Sequence, residues 1–162
     1  MNNNKIKLVL ITAIFSLAFI LRFYKLQSIP NGFREDETSI GYNAYSILET
    51  GKDEHNISYP QNFKAFGEYK LPGYIYASVL PIKIFGLNAF GIRFIAALSG
   101  FLTVIVAFFL TRTLLLYIKE EKQSKFSYDY LPIIVSFLLA INPWSLHFSR
   151  SAFEVTLANF FI

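Results

Sequence analysis

The sequence predicts an all-α, polytopic membrane protein, and its charge content and apolar runs support that class. The 162 residues are 54% hydrophobic and only 16% charged, whereas an average soluble domain is about 25% charged. Residues 94–111 and 130–149 contain no charged side chain, and runs of about 18 or more apolar residues can cross a bilayer. This composition excludes a soluble enzyme, a disordered chain and a nucleic-acid binder. The net charge of +4 therefore bears on orientation in the membrane.

The first predicted span covers about residues 6–24. Its apolar centre, residues 8–21, is shorter than the bilayer core of about 30 Å, but flanking lysines and arginines can reach the interfaces. A basic start before a short apolar run is also typical of a cleaved signal peptide. Because no small-residue cleavage site follows, we expect an uncleaved anchor with the amino terminus in the cytoplasm.

Two more spans are predicted at about residues 92–117 and 130–149, and a fourth helix begins near residue 155. The polar segment between these spans, residues 112–125, contains four basic side chains. The positive-inside rule assigns such a loop to the cytoplasm. We expect residues 1–162 to be the amino-terminal part of one membrane domain, because the fourth helix is too short to cross.

Residues 71–86 are the ambiguous segment, since they are apolar but contain two prolines and a lysine. If they crossed the membrane, the basic loop would lie outside. We therefore predict an interfacial helix at 71–86, with a membrane-spanning helix as the alternative. Residues 25–91 then form a long external loop, and seven of the eleven acidic residues lie in it.

A second interfacial helix is predicted at residues 36–50, ending at Gly51. Its apolar residues recur at helical spacing, namely Ile40, Ala44, Ile47 and Leu48. Asp36 and Glu37 then lie in the first turn, where the helix dipole favours ionised carboxylates. Such a carboxylate at a membrane surface can act as a general base or hold a metal ion. The alternative is that Asp36 only caps the helix and Glu37 only fills its first turn.

Three further residues are candidates because of where they stand relative to the membrane. Lys70 precedes the helix at 71–86, and a lysine at that depth can bind a lipid phosphate or simply extend to the interface. Arg150 and Glu154 follow the third span four residues apart, which predicts an ion pair on one helical face. Ionisable groups at a membrane edge are functional candidates, although this pair could also only close the helix end.

Five segments stand out in order along the chain, namely 21–24 (LRFY), 36–45 (DETSIGYNAY), 67–70 (GEYK), 85–93 (FGLNAFGIR) and 149–154 (SRSAFE). Together they resemble the amino-terminal module of the GT-C glycosyltransferases, above all the protein O-mannosyltransferase and aminoarabinose-transferase branch. The similarity covers about residues 8–162 and implies a GT-C-type transmembrane bundle with juxtamembrane helices in a long first external loop.

The resemblance implies a membrane glycosyltransferase of the bacterial plasma membrane. Such an enzyme passes a sugar, with inversion, from a polyprenyl (dolichyl-type) phosphate carrier to a protein, lipid or glycan acceptor at the external face. Its implied partners are the carrier-linked sugar, membrane lipid and an unidentified acceptor, without nucleic acid. The catalytic residues it implies are Asp36 as the base, Glu37 and Glu154. The substrate-binding residues it implies are Lys70 at the carrier phosphate, Tyr69 and Arg150.

Two departures from the family pattern limit what the resemblance implies. Relatives often have Asp at the position of Glu154. The aminoarabinose enzymes have Arg shortly after the Asp-Glu pair, where this chain has Ser39 and Ile40, so their substrate is not assumed. The oligosaccharyltransferases of the same superfamily bind a divalent metal with several acidic residues. Too few are recognisable here, so no cofactor and no metal site are predicted.

A transporter or an assembly scaffold is the alternative function. Either would be expected to place polar or charged residues inside the spans. The apolar runs of the three spans, residues 8–21, 94–111 and 130–149, offer Ser16, Thr103 and Asn142 but no charge, so the alternative is weaker.

Overall fold

A computed structural model describes residues 3–122 and 129–162, without the side chains of residues 119–122. Part of the predicted basic loop at 112–125 therefore lies outside the described residues. The described chain is mostly helical and contains one small β-hairpin. Its elements are α1 (Asn3–Phe23), α2 (Glu35–Thr50), β1 (Phe63–Ala65), β2 (Glu68–Lys70), α3 (Pro72–Phe85), α4 (Ala89–Lys122), α5 (Leu131–Ile141), α6 (Pro143–Ser149) and α7 (Glu154–Phe161).

Helices α1 and α4 are long and apolar enough to cross a membrane. They correspond to the predicted spans at 6–24 and 92–117, and α4 begins three residues earlier than expected. Large apolar side chains on both are exposed, among them Leu8 and Ile20 on α1 and Phe109 on α4. Because lipid tails are apolar, exposed residues of this kind are suited to a membrane protein.

The third predicted span, residues 130–149, is not one continuous helix. Helices α5 and α6 are bent by 58° at their junction. Pro143 cannot donate a helical hydrogen bond, and the Asn142 side chain accepts one from the Ser145 N–H at 3.0 Å, which starts a new helix.

The broken end of α5 is stabilised by Arg22, a fully buried residue near the end of α1. Its guanidinium donates to the carbonyl oxygens of Ala140 at 3.3 Å and Leu139 at 3.4 Å. The last carbonyls of a helix have no partner within the helix. Arg22 supplies that partner where the break would otherwise leave polar groups unsatisfied beside the membrane spans.

Helix α2 packs its predicted apolar face against α3 and α4. Ile40 and Ala44 are buried beside Ile75 of α3 and Ile92 of α4, and the helix ends at Gly51 in the left-handed conformation (φ 70°) as predicted. The apolar face is therefore covered by protein, and the predicted placement of α2 at the membrane interface stays a prediction. Burial against neighbouring helices already removes these side chains from water, so no lipid is needed to cover them.

The hairpin β1–β2 departs from the all-α prediction. Ala65 pairs with Glu68, and Phe66 and Gly67 between them both have positive φ, at 51° and 84°, as a two-residue hairpin turn requires. Such short strands have no periodic apolar signal. The hairpin has a local effect, since it positions Lys70 at the start of α3.

Helix α3 has nearly the bounds of the helix predicted at 71–86, whose interfacial placement stays a prediction, and α7 begins one residue before the predicted position 155. Gly91 lets α4 start close to the end of α3. A Cβ atom there would lie 2.6 Å from the Gly86 carbonyl oxygen, which no side chain tolerates. The short connection therefore folds α3 back against the first turns of α4.

Candidate functional site

Asp36, Lys70 and Glu154 come together although they are far apart in the sequence. Asp36 lies in the first turn of α2, Lys70 ends β2 and Glu154 begins α7. Lys70 Nζ forms an ion pair with Asp36 Oδ1. The Lys70 side chain is 11% exposed and that of Asp36 is 48% exposed. The carboxylate is therefore open to a reactant, whereas the ammonium group is largely enclosed.

Glu154 supplies a second carboxyl group, which lies close enough to Lys70 and Asp36 to be affected by their charges. Its Oε1 atom is buried and has no hydrogen-bond partner within the described part of the chain. Burial raises the pKa of Glu154 above its usual value, and the charge of Asp36 adds to this effect. The backbone N–H of Leu71 and the charge of Lys70 lower the pKa, but they do not offset the burial.

Glu37, the neighbour of Asp36, is buried in an ion pair with Arg93 of α4, and both side chains are at most 1% exposed. Glu37 Oε1 accepts from Arg93 Nε at 2.8 Å and from the Ala152 N–H at 3.0 Å. Glu37 Oε2 accepts from Arg93 Nη2 at 3.0 Å and from the Arg34 N–H at 3.2 Å. Both oxygens are thus occupied, which favours a structural role over the predicted catalytic one.

The pKa of Glu37 reflects the same surroundings. Burial on its own raises this pKa, but the hydrogen bonds from Arg93, Ala152 and Arg34 together outweigh it and leave the pKa below its usual value. Hydrogen bonds to a carboxylate stabilise its charged form. Glu37 is therefore an ionised partner of Arg93 at neutral pH.

Arg93 is the positioning residue that the sequence analysis did not single out. Besides Glu37, it donates to the carbonyl oxygens of Pro30 at 2.9 Å and Gly32 at 2.6 Å. These contacts fix the loop between α1 and α2 against the start of α4. A signal was present in the sequence, since Arg93 is the only charged residue from 84 to 111, and a charge at a membrane edge indicates a specific partner.

The predicted ion pair between Arg150 and Glu154 is absent. Helix α6 ends at Ser149 and α7 starts at Glu154, so the residues between are not helical and the four-residue spacing does not stack the two side chains. Arg150 instead donates to the carbonyl oxygens of Tyr24 at 2.8 Å and Ile29 at 3.0 Å. It holds the chain that leaves α1, and its role in substrate binding stays a prediction.

Tyr69 is 72% exposed and pairs with Lys64 across the hairpin. Successive residues of a strand point to opposite faces, so Tyr69 points away from the side on which Lys70 meets Asp36. The structure therefore does not bring Tyr69 to the other predicted residues, and its predicted role remains untested.

Within residues 3–122 and 129–162, no group of three or more His, Asp or Glu side chains is arranged to hold a metal ion. The two nearby carboxyl groups, Asp36 and Glu154, share their surroundings with Lys70. The ammonium group of Lys70 competes with a metal cation for the carboxylate oxygens. The site instead combines a half-exposed carboxylate, an enclosed ammonium group and a carboxyl group with one buried oxygen.

Comparisons of the chain with protein-family models, with curated proteins and with solved structures found no match.

Proposed function

We propose that this membrane protein is a glycosyltransferase of the GT-C type that uses a sugar linked to a polyprenyl phosphate. The observation that carries the proposal is the contact between Asp36 and Lys70, two residues with the charges needed at opposite ends of a glycosyl transfer. The five segments that resemble the family support it, because three of them supply Asp36, Lys70 and Glu154.

The reaction assigned to this site is an inverting displacement at the anomeric carbon. The acceptor hydroxyl oxygen forms the new bond, its proton passes to Asp36, and the bond to the carrier phosphate breaks with its electron pair on the phosphate. Such a step needs a base at the acceptor and positive charge at the leaving oxygen. Asp36 is accessible enough for the first role, and Lys70 carries the charge for the second.

The contact between the two residues implies an order of events. Lys70 is bound to Asp36, and a carboxylate paired with an ammonium group is a weaker base than a free carboxylate. A carrier phosphate competes with Asp36 for Lys70. Carrier binding therefore releases the Asp36 carboxylate, which then can accept the proton of the acceptor.

Exposed apolar side chains at the start of α3 and along it fit a lipid-linked substrate. Leu71, Leu80 and Ile84 on or next to α3 are each more than 60% exposed, and a polyprenyl chain would cover such side chains. With the amino terminus in the cytoplasm, Lys70 and the start of α3 lie at the external membrane surface of a bacterial plasma membrane, where the acceptor is also placed.

The proposal is tested with the intact protein in lipid vesicles and a panel of polyprenyl-phosphate sugars. We expect transfer from at least one donor and a loss of about 100-fold or more in Asp36→Asn, since general-base catalysis contributes about 10²–10⁴. Glu35→Gln is the matched control, because Glu35 is an exposed acidic neighbour. Lys70→Met is expected to raise KM for the donor.

Two results would contradict the proposal in different ways. Near-normal transfer by Asp36→Asn would remove Asp36 as the base while leaving the enzyme class in place. Absence of transfer from every donor by the wild-type protein, correctly inserted in the vesicles, would overturn the function itself.

A further inference from the structure

Glu154 Oε1 is a buried polar atom without a hydrogen-bond partner in the described part of the chain. Buried polar side-chain atoms are satisfied in the large majority of cases, and an unsatisfied one is costly. An ionised carboxylate would make this oxygen more costly still, and the Leu71 N–H and the charge of Lys70 do not offset the effect of burial on Glu154, which is partly buried as a whole. The unsatisfied oxygen points to a group that the site is built to receive.

The surroundings of Glu154 do not provide a counter-charge of its own. Helix α7 packs against α3, α4 and α6, and the charged groups that act on Glu154 are Asp36 and Lys70. Lys70 is already paired with Asp36. With Glu154 ionised, two carboxylates would share one ammonium group.

The charge balance decides which form suits an anionic ligand. With Glu154 ionised, the three groups sum to one negative charge, which would repel a phosphate at Lys70. With Glu154 neutral, the sum is zero, and the carboxyl group offers an O–H donor in place of a repelling charge. Burial, which raises the pKa of Glu154, acts in the same direction.

We infer that Glu154 is held as a neutral carboxylic acid and donates its O–H to an oxygen of the carrier phosphate. This inference rests on the proposed function for the identity of the ligand, but the protonation of Glu154 does not depend on it. Glu154 then serves as a phosphate-binding hydrogen-bond donor, whereas Asp36 alone acts as the base. The two carboxyl groups of the site thus have different protonation states and different roles.

Infrared difference spectroscopy of the intact protein in vesicles tests the protonation without any assay of transfer. At neutral pH, the wild-type spectrum is expected to contain a protonated-carboxyl C=O band that Glu154→Gln lacks. Glu68→Gln is the matched control, because Glu68 is an exposed glutamate on β2, and it should keep the band. If Glu154→Gln removes no such band, Glu154 is ionised and the inference is overturned.

Addition of a polyprenyl phosphate without a sugar tests the contact with the ligand. We expect this C=O band to shift to lower wavenumber, as the C=O stretch of a carboxylic acid does when its O–H donates to an anion. An uncharged polyprenol is expected to leave the band unchanged. A band that does not respond to the phosphate would overturn the donor role, even if the protonation were correct.

Transfer activity separates the donor role from an ionised one. Glutamine keeps a donor of similar size, so Glu154→Gln is expected to retain activity within about 10-fold, whereas Glu154→Met should lose about 100-fold or more, as when a stabilising donor is removed. If Gln were as damaging as Met, the residue would act through its negative charge. Failure of the wild-type protein to transfer any sugar would contradict the proposed function but not the infrared result.

Discussion

Arg93 and Glu37 form a buried, bidentate ion pair that links a membrane span to the candidate active site. Arg93 Nε and Nη2 lie 2.8 and 3.0 Å from the two carboxylate oxygens. Because Glu37 follows Asp36 directly and also accepts the Ala152 N–H, one ion pair sets the position of Asp36 and of the segment before Glu154. The pair thus holds two parts of the site in register with α4.

Loss of Arg93 should destabilise the protein strongly. In Arg93→Met, Glu37 is left as a buried charge without its partner, a change that typically costs about 3–5 kcal/mol. Denaturant unfolding in detergent measures this cost. Arg112→Met, on an exposed part of the same helix, is the matched control. The double variant Arg93→Met with Glu37→Gln should recover part of the lost free energy of unfolding. Equal stability of Arg93→Met and Arg112→Met would show that the ion pair contributes nothing.

Stability should fall at acid pH because of Glu37. Its pKa in the folded protein is below the usual value, so its contribution is complete above the unfolded pKa of about 4.3. The contribution is lost as the pH falls through the lower, folded pKa. The free energy of unfolding, measured from about pH 7 to about pH 3, should therefore drop more steeply in the wild type than in Glu37→Gln. Parallel curves would exclude Glu37 as the titrating group.

The proposed orientation can be tested with engineered cysteines, since the chain has none of its own. Thr50, at the exposed end of α2, is suitable, whereas Ser39 is buried and would react poorly. We expect a membrane-impermeant thiol reagent to label Thr50→Cys in intact cells and to label Ser124→Cys, outside the described residues, only after lysis. The reverse pattern would place the amino terminus outside.

Much of the helical framework follows from local patterns in the sequence. The spans α1 and α4 follow from the length of their uncharged runs, and the buried face of α2 follows from the spacing of Ile40, Ala44 and Ile47. These features depend on residues within one or two turns of each other. Composition and periodicity therefore predict such features directly.

The break at Pro143 shows where local patterns are insufficient. Hydropathy over residues 130–149 predicts one span, but the bend at Asn142 also depends on Arg22 from another helix, which satisfies the carbonyls at the end of α5. The same limit explains Arg150. Its spacing from Glu154 predicts an ion pair, yet the chain unwinds between them and Arg150 binds the carbonyls that follow α1.

The sequence by itself determined that this is an apolar, mostly helical chain with membrane spans and an acidic segment that includes Asp36. Only the tertiary structure decided that Lys70 contacts Asp36 and that Glu37 forms a buried ion pair with Arg93. It also decided that Glu154 has a buried oxygen without a hydrogen-bond partner in the described part of the chain. The physical reason is the distance along the chain. Periodicity describes neighbours on one element, whereas these charges are brought together by the packing of α2, α4, α7 and the hairpin, and burial then determines which of them stay ionised.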